Sequence, residues 1–195
     1  MLPGLDDGPA TLDQSLAMAR AAVAAGTTTL VATPHLNTRF GVRLDQVAER
    51  VADLRAALDG AGIPLRLEAG AEVAASRLPE LEDDAAHAAA CLGDGPWLLV
   101  ECPLEPVPSM AFDAAVLELL QNGRPVVLAH PERSPGFQRD PNRLGRLVDA
   151  GALCSLTAGA FGGQFGGLVQ RASLNLLSAG LCHDVASDAH DAVHR

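Results

Sequence analysis

Imidazole and carboxylate groups recur at the ends of short apolar runs in this chain. His35 ends "LVATPH", Glu68 and Glu72 flank the end of "LEAGAE", Glu101 ends "LLVE", His130 ends "VVLAH", and Asp188 and His190 end "VASDAH". Burying such groups is costly unless each finds a hydrogen bond, an ionic partner or a metal ion. Any one of these histidines alone reads as a hydrogen-bonded core residue. Ligand-type residues at five run ends read as a cation site instead. Imidazole and carboxylate donors without thiolate suit Zn, Mn or Fe, and differ from the donor set of a structural zinc site. Many carboxylates in one cleft call for more than one cation, and multi-metal sites clamp and activate a water or hydroxide for in-line attack on a phosphoryl group.

A phosphoryl substrate also needs a cation for its oxygens, and a guanidinium can bind them bidentately. Arg133 lies three residues after His130 in "HPER", and Arg195 five residues after His190. Each has a surface charge as its alternative reading. His87 reads as a helix-surface residue, and His183 and His194 as strand-flank or loop residues. Cysteine-based phosphoryl transfer would need an arginine six positions after the nucleophile. The positions six after Cys91, Cys102, Cys154 and Cys182 hold Trp97, Pro108, Ala160 and Asp188, so that chemistry is excluded on spacing. The four cysteines, with no metal-type pairing, read as reduced thiols.

The elements that position these residues alternate. Thr11 to Ala25 carries apolar residues at helical spacing, with a Thr11/Gln14 capping box and Gly26 as the stop. "TTLVATPH" comes next as a buried strand, and Leu44, Val47, Val51, Leu54 and Leu58 mark a helix ended by "DGAGIP". "LRLEAG" is a strand, Pro79 starts a shorter helix, and "WLLVE" is a strand. Met110 to Leu120 is a helix behind Ser109, "PVVLAH" a strand, and Pro141 the first residue of a helix capped by Asp140. "ALCSLT" is a strand, Phe165 to Ser178 a helix, and "HDVASD" a last strand. Six apolar strands alternating with six helices predict an α/β fold with a parallel sheet, whose active site lies at the C-terminal strand ends. The glycine-rich "AGAFGGQFGG" matches neither a dinucleotide fingerprint nor a Walker loop and reads as a strand-to-helix connection.

At 195 residues the chain fits one domain. Its net charge of -10 and 3% aromatic content argue against nucleic acid as the main partner. No stretch approaches a membrane span, and the start lacks the features of a signal peptide, so a cytoplasmic location is expected with no membrane insertion. A homo-oligomer is compatible with the sequence.

Taken in order, "LPGLDDGP", "TPH", "GAE", "VE", "AHPER" and "SDAH" resemble the polymerase-and-histidinol-phosphatase (PHP) superfamily. More narrowly they resemble its capsule-associated bacterial protein-tyrosine phosphatases of the CpsB/CapC type, from Met1 to Arg195. The resemblance implies a single PHP phosphoesterase domain over 1–195, a distorted (β/α)7 barrel, and a site for up to three divalent metal ions, often described with Mn. The implied substrate is phosphotyrosine on a tyrosine autokinase that controls capsular polysaccharide and exopolysaccharide synthesis. By the same resemblance one metal is held by Asp7, His35 and His190, and a second by Glu72, Glu101 and His130. Glu72 bridges to a remaining metal that Asp188 also binds, while Arg133 and Arg195 hold the phosphate. Asp6 keeps the reading of a turn residue.

Members of that family begin with a strand ending in Asp-x-His-x-His, and both histidines are missing from this sequence, as is the closing helix beyond Arg195. The expectation is a barrel lacking its first strand and closing helix, in a fragment or a chain with an internal start. Two other functions fit the same residues: a small-molecule phosphatase of the histidinol-phosphate type, and a catalytically impaired barrel acting as a binding module.

Overall fold

Apolar runs too short for a helix form strands here, and the amphipathic stretches between them form helices. The structure, a computed structural model, describes residues 1–105 and 110–193. It divides into two compact units, Met1–Pro96 with the residues from Ala189 onward, and Trp97–Asp188.

The first unit contains α1 (Leu12–Ala24), β1 (Thr29–Ala32), β2 (His35–Leu36), α2 (Leu44–Gly60), β3 (Arg66–Ala69), β4 (Glu72–Ala74), a 3-10 segment (Ala75–Leu81) and α3 (Asp84–Ala90). The capping box of α1 forms as its sequence predicts. The Thr11 side chain accepts from the Gln14 N–H, and Gln14 Oε1 accepts from the Thr11 N–H. The expected strand "TTLVATPH" is two strands, because Pro34 brings no N–H to a ladder. The expected strand "LRLEAG" ends at Ala69, and a separate strand begins at Glu72, with the break at Gly70. A side chain there would crowd Val31 Cγ1 at 3.1 Å and the Cys91 carbonyl at 3.3 Å. The breaks lie side by side, β1 pairing with β3 and β2 with β4, both parallel, and the register does not slip between Ala32↔Ala69 and His35↔Glu72. Pro79 lies inside the 3-10 segment rather than at a helix start, and α3 begins later, where Asp83 accepts from the N–H groups of Ala85 and Ala86.

The core of this unit is the apolar stripe of α2, with Val47, Val51, Leu54 and Leu58 packed among Leu2, Ala19, Ala32 and Leu67. Leu2 thus anchors the N-terminal turn. That turn closes on itself through a 2.8 Å hydrogen bond from the Gly4 N–H to the Pro9 carbonyl, with Gly4 at φ +67°.

The second unit contains β5 (Leu98–Glu101), α4 (Met110–Gln121), β6 (Val126–Ala129), a 3-10 turn (Pro131–Arg133), α5 (Pro135–Arg139), α6 (Pro141–Asp149), β7 (Leu153–Thr157), α7 (Ala158–Phe161), α8 (Gly167–Ser178) and β8 (Asp184–Ala186). Strands β5, β6, β7 and β8 pair in that order, all parallel. Asp140 caps α6 as expected, its side chain accepting from the Arg143 N–H. Arg143 in turn forks onto Asp113 of α4. The expected helix from Phe165 starts at Gly167 instead, because Gly166 takes φ +87° and breaks the helical path. Ser109, the expected cap of α4, lies outside the described residues. The parallel α/β alternation read from the sequence is therefore present in both units. Among the described residues no helix is long and apolar enough to cross a membrane.

Leu54 is 1% exposed at the centre of the α2 stripe. Leu54→Ala is expected to lower unfolding free energy by about 2–5 kcal/mol, the range for a cavity left by a buried leucine. Urea denaturation at constant m-value checks this.

Candidate metal centre

In the first unit a carboxylate stands between two imidazoles. Asp7 Oδ1 lies 3.6 Å from His35 Nε2 and 3.5 Å from His190 Nε2. One donor atom from each of the three residues falls within 4.8 Å of the others. Ligand bonds of about 2.0–2.2 Å place neighbouring donors about 3–3.5 Å apart around one ion. These separations are long for direct hydrogen bonds and suit donors arranged around a shared cation. The donor set and its spacing therefore fit a divalent metal.

The surroundings fix the three residues. Asp6 Oδ1 accepts from the Gly8 N–H at 3.0 Å, the turn role read for it, while its Oδ2 accepts from the His35 N–H at 3.0 Å. One side chain thus ties the N-terminal turn to the start of β2. Phe40 stacks on the His35 ring, centroids 5.8 Å apart, and the His190 ring stands tilted to His35 with centroids 5.9 Å apart. Glu72 is buried at the head of β4 as the register partner of His35, with a carboxylate oxygen within 4.8 Å of a His35 nitrogen. Glu68 goes elsewhere. It pairs with Arg55 at 2.9 Å and with Arg66, so it belongs to an ionic cluster on β3.

In the second unit the remaining candidates are placed by the sheet. Glu101 ends β5 opposite Ala129, and His130 is the residue just after β6. His130 is buried at φ +39°, its N–H donating to the Ser155 carbonyl at 2.9 Å. Asp188, two residues beyond β8, also has a left-handed backbone, φ +47°. It accepts from Arg133 Nη1 at 2.8 Å. Arg133 lies in addition over the Phe165 ring, 4.6 Å from its centroid. Arg195 and His194 lie outside the described residues. His183 is the strand-flank residue expected, its Nδ1 accepting from the Cys154 N–H, and His87 lies on α3, half-buried.

Glu132 is a residue whose position the strand-end pattern did not reveal. It is fully buried, 0% exposed, and its Oε1 accepts from the Thr157 N–H at 2.9 Å. Burial pushes its carboxyl pKa up, with the Thr157 N–H opposing the shift. It fastens the turn between His130 and Arg133 to the end of β7. In the sequence it is marked only as the acidic residue between Pro131 and Arg133 in "HPER".

The family model described as "Capsular polysaccharide synthesis, CpsB/CapC" matches residues 1–195. The chain belongs to the CpsB/CapC family. It is 37% identical to the tyrosine-protein phosphatase YwqE of Bacillus subtilis over 98% of its own length and 75% of that protein's. It is 28% identical to the putative tyrosine-protein phosphatase CapC of Staphylococcus aureus, over all of this chain and 76% of CapC. A solved structure from work on YwqE of Bacillus subtilis and CpsB of Streptococcus pneumoniae, "unique metal-dependent tyrosine phosphatases", aligns with TM-score 0.88 and 36% identity, covering 99% of this chain and 78% of that one.

Burial leaves most of the cysteines of this CpsB/CapC chain poorly placed for thiol chemistry. Cys91, Cys102 and Cys154 are buried, and burial pushes the Cys154 thiol up to about 12. At pH 8 its thiolate fraction is about one in ten thousand. Iodoacetamide is expected to label the folded protein at Cys182 and to spare the other three, as peptide mass spectrometry will show. Rapid labelling of Cys154 would contradict its burial.

Proposed function

We propose that this CpsB/CapC chain is a metal-dependent protein-tyrosine phosphatase on the (β/α) barrel scaffold that its motifs resemble. Its substrate on this reading is phosphotyrosine of a bacterial tyrosine autokinase controlling capsular polysaccharide synthesis, met in the cytoplasm. The observation that carries the reading is the convergence of Asp7, His35 and His190 at ligand spacing. The tyrosine phosphatase relatives and the metal-dependent structural neighbour support it.

Asp7, His35 and His190 are assigned to one divalent ion. Glu72, Glu101, His130 and Asp188 are assigned to further ions, up to three in all, with Mn the metal we favour over Zn or Fe. Ions bound there supply Lewis-acid charge to a phosphoryl oxygen and lower the pKa of water. The chain's own part is orientation and charge. Asp6 holds the His35 backbone and Phe40 stacks on its ring, with Nε2 turned toward Asp7. Asp188 and Phe165 fix the plane of the Arg133 guanidinium, which then offers its remaining edge to phosphate oxygens. Arg195 is assigned the same duty from outside the described residues. A tyrosine phenolate leaves as the anion of an acid with pKa about 10, so departure demands little of a general acid.

Chelator is expected to abolish hydrolysis of a phosphotyrosine peptide, and added Mn to restore it. His35→Ala should lose bound metal by elemental analysis and lower kcat/KM by about 100-fold or more. Full activity in metal-free protein would sink the proposal, and preference for histidinol phosphate over the peptide would redirect it. Arg133→Lys is expected to raise KM by about tenfold, because lysine keeps the charge and loses the fork.

A further inference from the structure

Phe165 is large, aromatic and 41% exposed, in the turn that joins α7 to α8. Solvent exposure of so much apolar ring is unfavourable, yet the loop is built to hold it in place. Glycines flank it on both sides, Gly163 at φ +82° and Gly166 at φ +87°. The Gly166 N–H donates to the Gly163 carbonyl at 2.9 Å, and the Gln164 N–H to the Gly159 carbonyl at 3.0 Å. Gln170 of α8 closes the loop from the other end, its Nε2 donating to the Phe161 carbonyl at 2.9 Å. The ring so presented lies against the guanidinium of Arg133, whose Nη1 is engaged by Asp188. The ring supports the arginine, and the residue keeps much of its surface open to solvent.

We propose that Phe165 is a specificity-determining residue, its exposed part forming the wall against which the phenyl ring of an aryl phosphate packs while the phosphate engages Arg133. The inference rests on the phosphate-binding role proposed for Arg133. A phosphate at the edge of that guanidinium carries its ester oxygen beside Phe165. An aryl group on that oxygen then meets an aromatic surface, in the offset or edge-to-face contact such rings prefer. An alkyl phosphoester of serine places a short aliphatic stem there and gains less. The site thereby selects aryl over alkyl phosphomonoesters through a residue that packs on the phosphate-binding arginine.

The test compares a phosphotyrosine peptide with a phosphoserine peptide of the same sequence in the metal-loaded protein, for wild type, Phe165→Ala, Phe165→Leu and Phe165→Trp. The aryl-to-alkyl ratio of kcat/KM is expected to fall about tenfold in Phe165→Ala, fall less in Phe165→Leu, and persist in Phe165→Trp. Binding of phenylphosphonate and methylphosphonate, measured by calorimetry, reads the same preference without turnover. If wild type hydrolyses neither peptide, the phosphatase reading fails. The assignment of Phe165 still stands if phenylphosphonate binds more tightly than methylphosphonate and Phe165→Ala erases the difference. Equal losses on both ligands would make Phe165 a support for Arg133 alone and overturn the proposal, as would a ratio that no variant changes. Phe165→Leu and Phe165→Trp keep the question answerable if Phe165→Ala folds poorly.

Discussion

A carboxylate oxygen held about equally far from two imidazole nitrogens is the constraint on which the proposed metal site in the first unit depends. Donor atoms at this spacing suit a shared cation where each is held in a fixed position. The sequence supplies the fixing through short-range devices. Leu2 sinks into the core, the Gly4 to Pro9 hydrogen bond closes the turn, and Asp6 reaches from that turn to the backbone of His35. Asp7 needs no long reach of its own, since its neighbour makes the attachment.

Parallel pairing does the same work in the second unit by other means. In β5 to β8 every strand runs the same way, so every strand delivers its last residue to one edge. Glu101, His130 and Asp188 stand at or just beyond those ends, and Glu132 ties the intervening turn to the end of β7. Ligand-type residues at such an edge leave the apolar strand interiors intact.

The strand-end residues were legible because a single imidazole or carboxylate closing an apolar run contradicts its surroundings. His35, Glu101 and His130 show that contradiction most clearly. Glu68 shows it too and misleads, because Arg55 and Arg66, one of them distant in sequence, satisfy it on β3. The splitting of two strands was not legible, since Pro34 and Gly70 read equally well as terminators, and the need for glycine at position 70 comes from Val31 and Cys91, which leave no room for a side chain. Phe165 was absorbed into a helix by its apolar character, whereas the backbone of Gly166 decides that the helix begins later. Asp6 looked complete as a turn residue, and its second oxygen is satisfied only by tertiary contact. Local pattern therefore located the ligand-type residues at the strand ends, while the supports around them depend on contacts far apart in the chain.

His130 and Asp188 both carry side chains on a backbone that glycine would adopt at no steric cost. Left-handed geometry costs an ordinary residue about 1 kcal/mol or more, and asparagine or glycine would relieve it at either position. A chain selected for folding alone would move toward those residues. Histidine and aspartate standing there keep ligand-type side chains at a backbone cost, so a purely stability-guided redesign would replace first two residues that the proposed metal site needs.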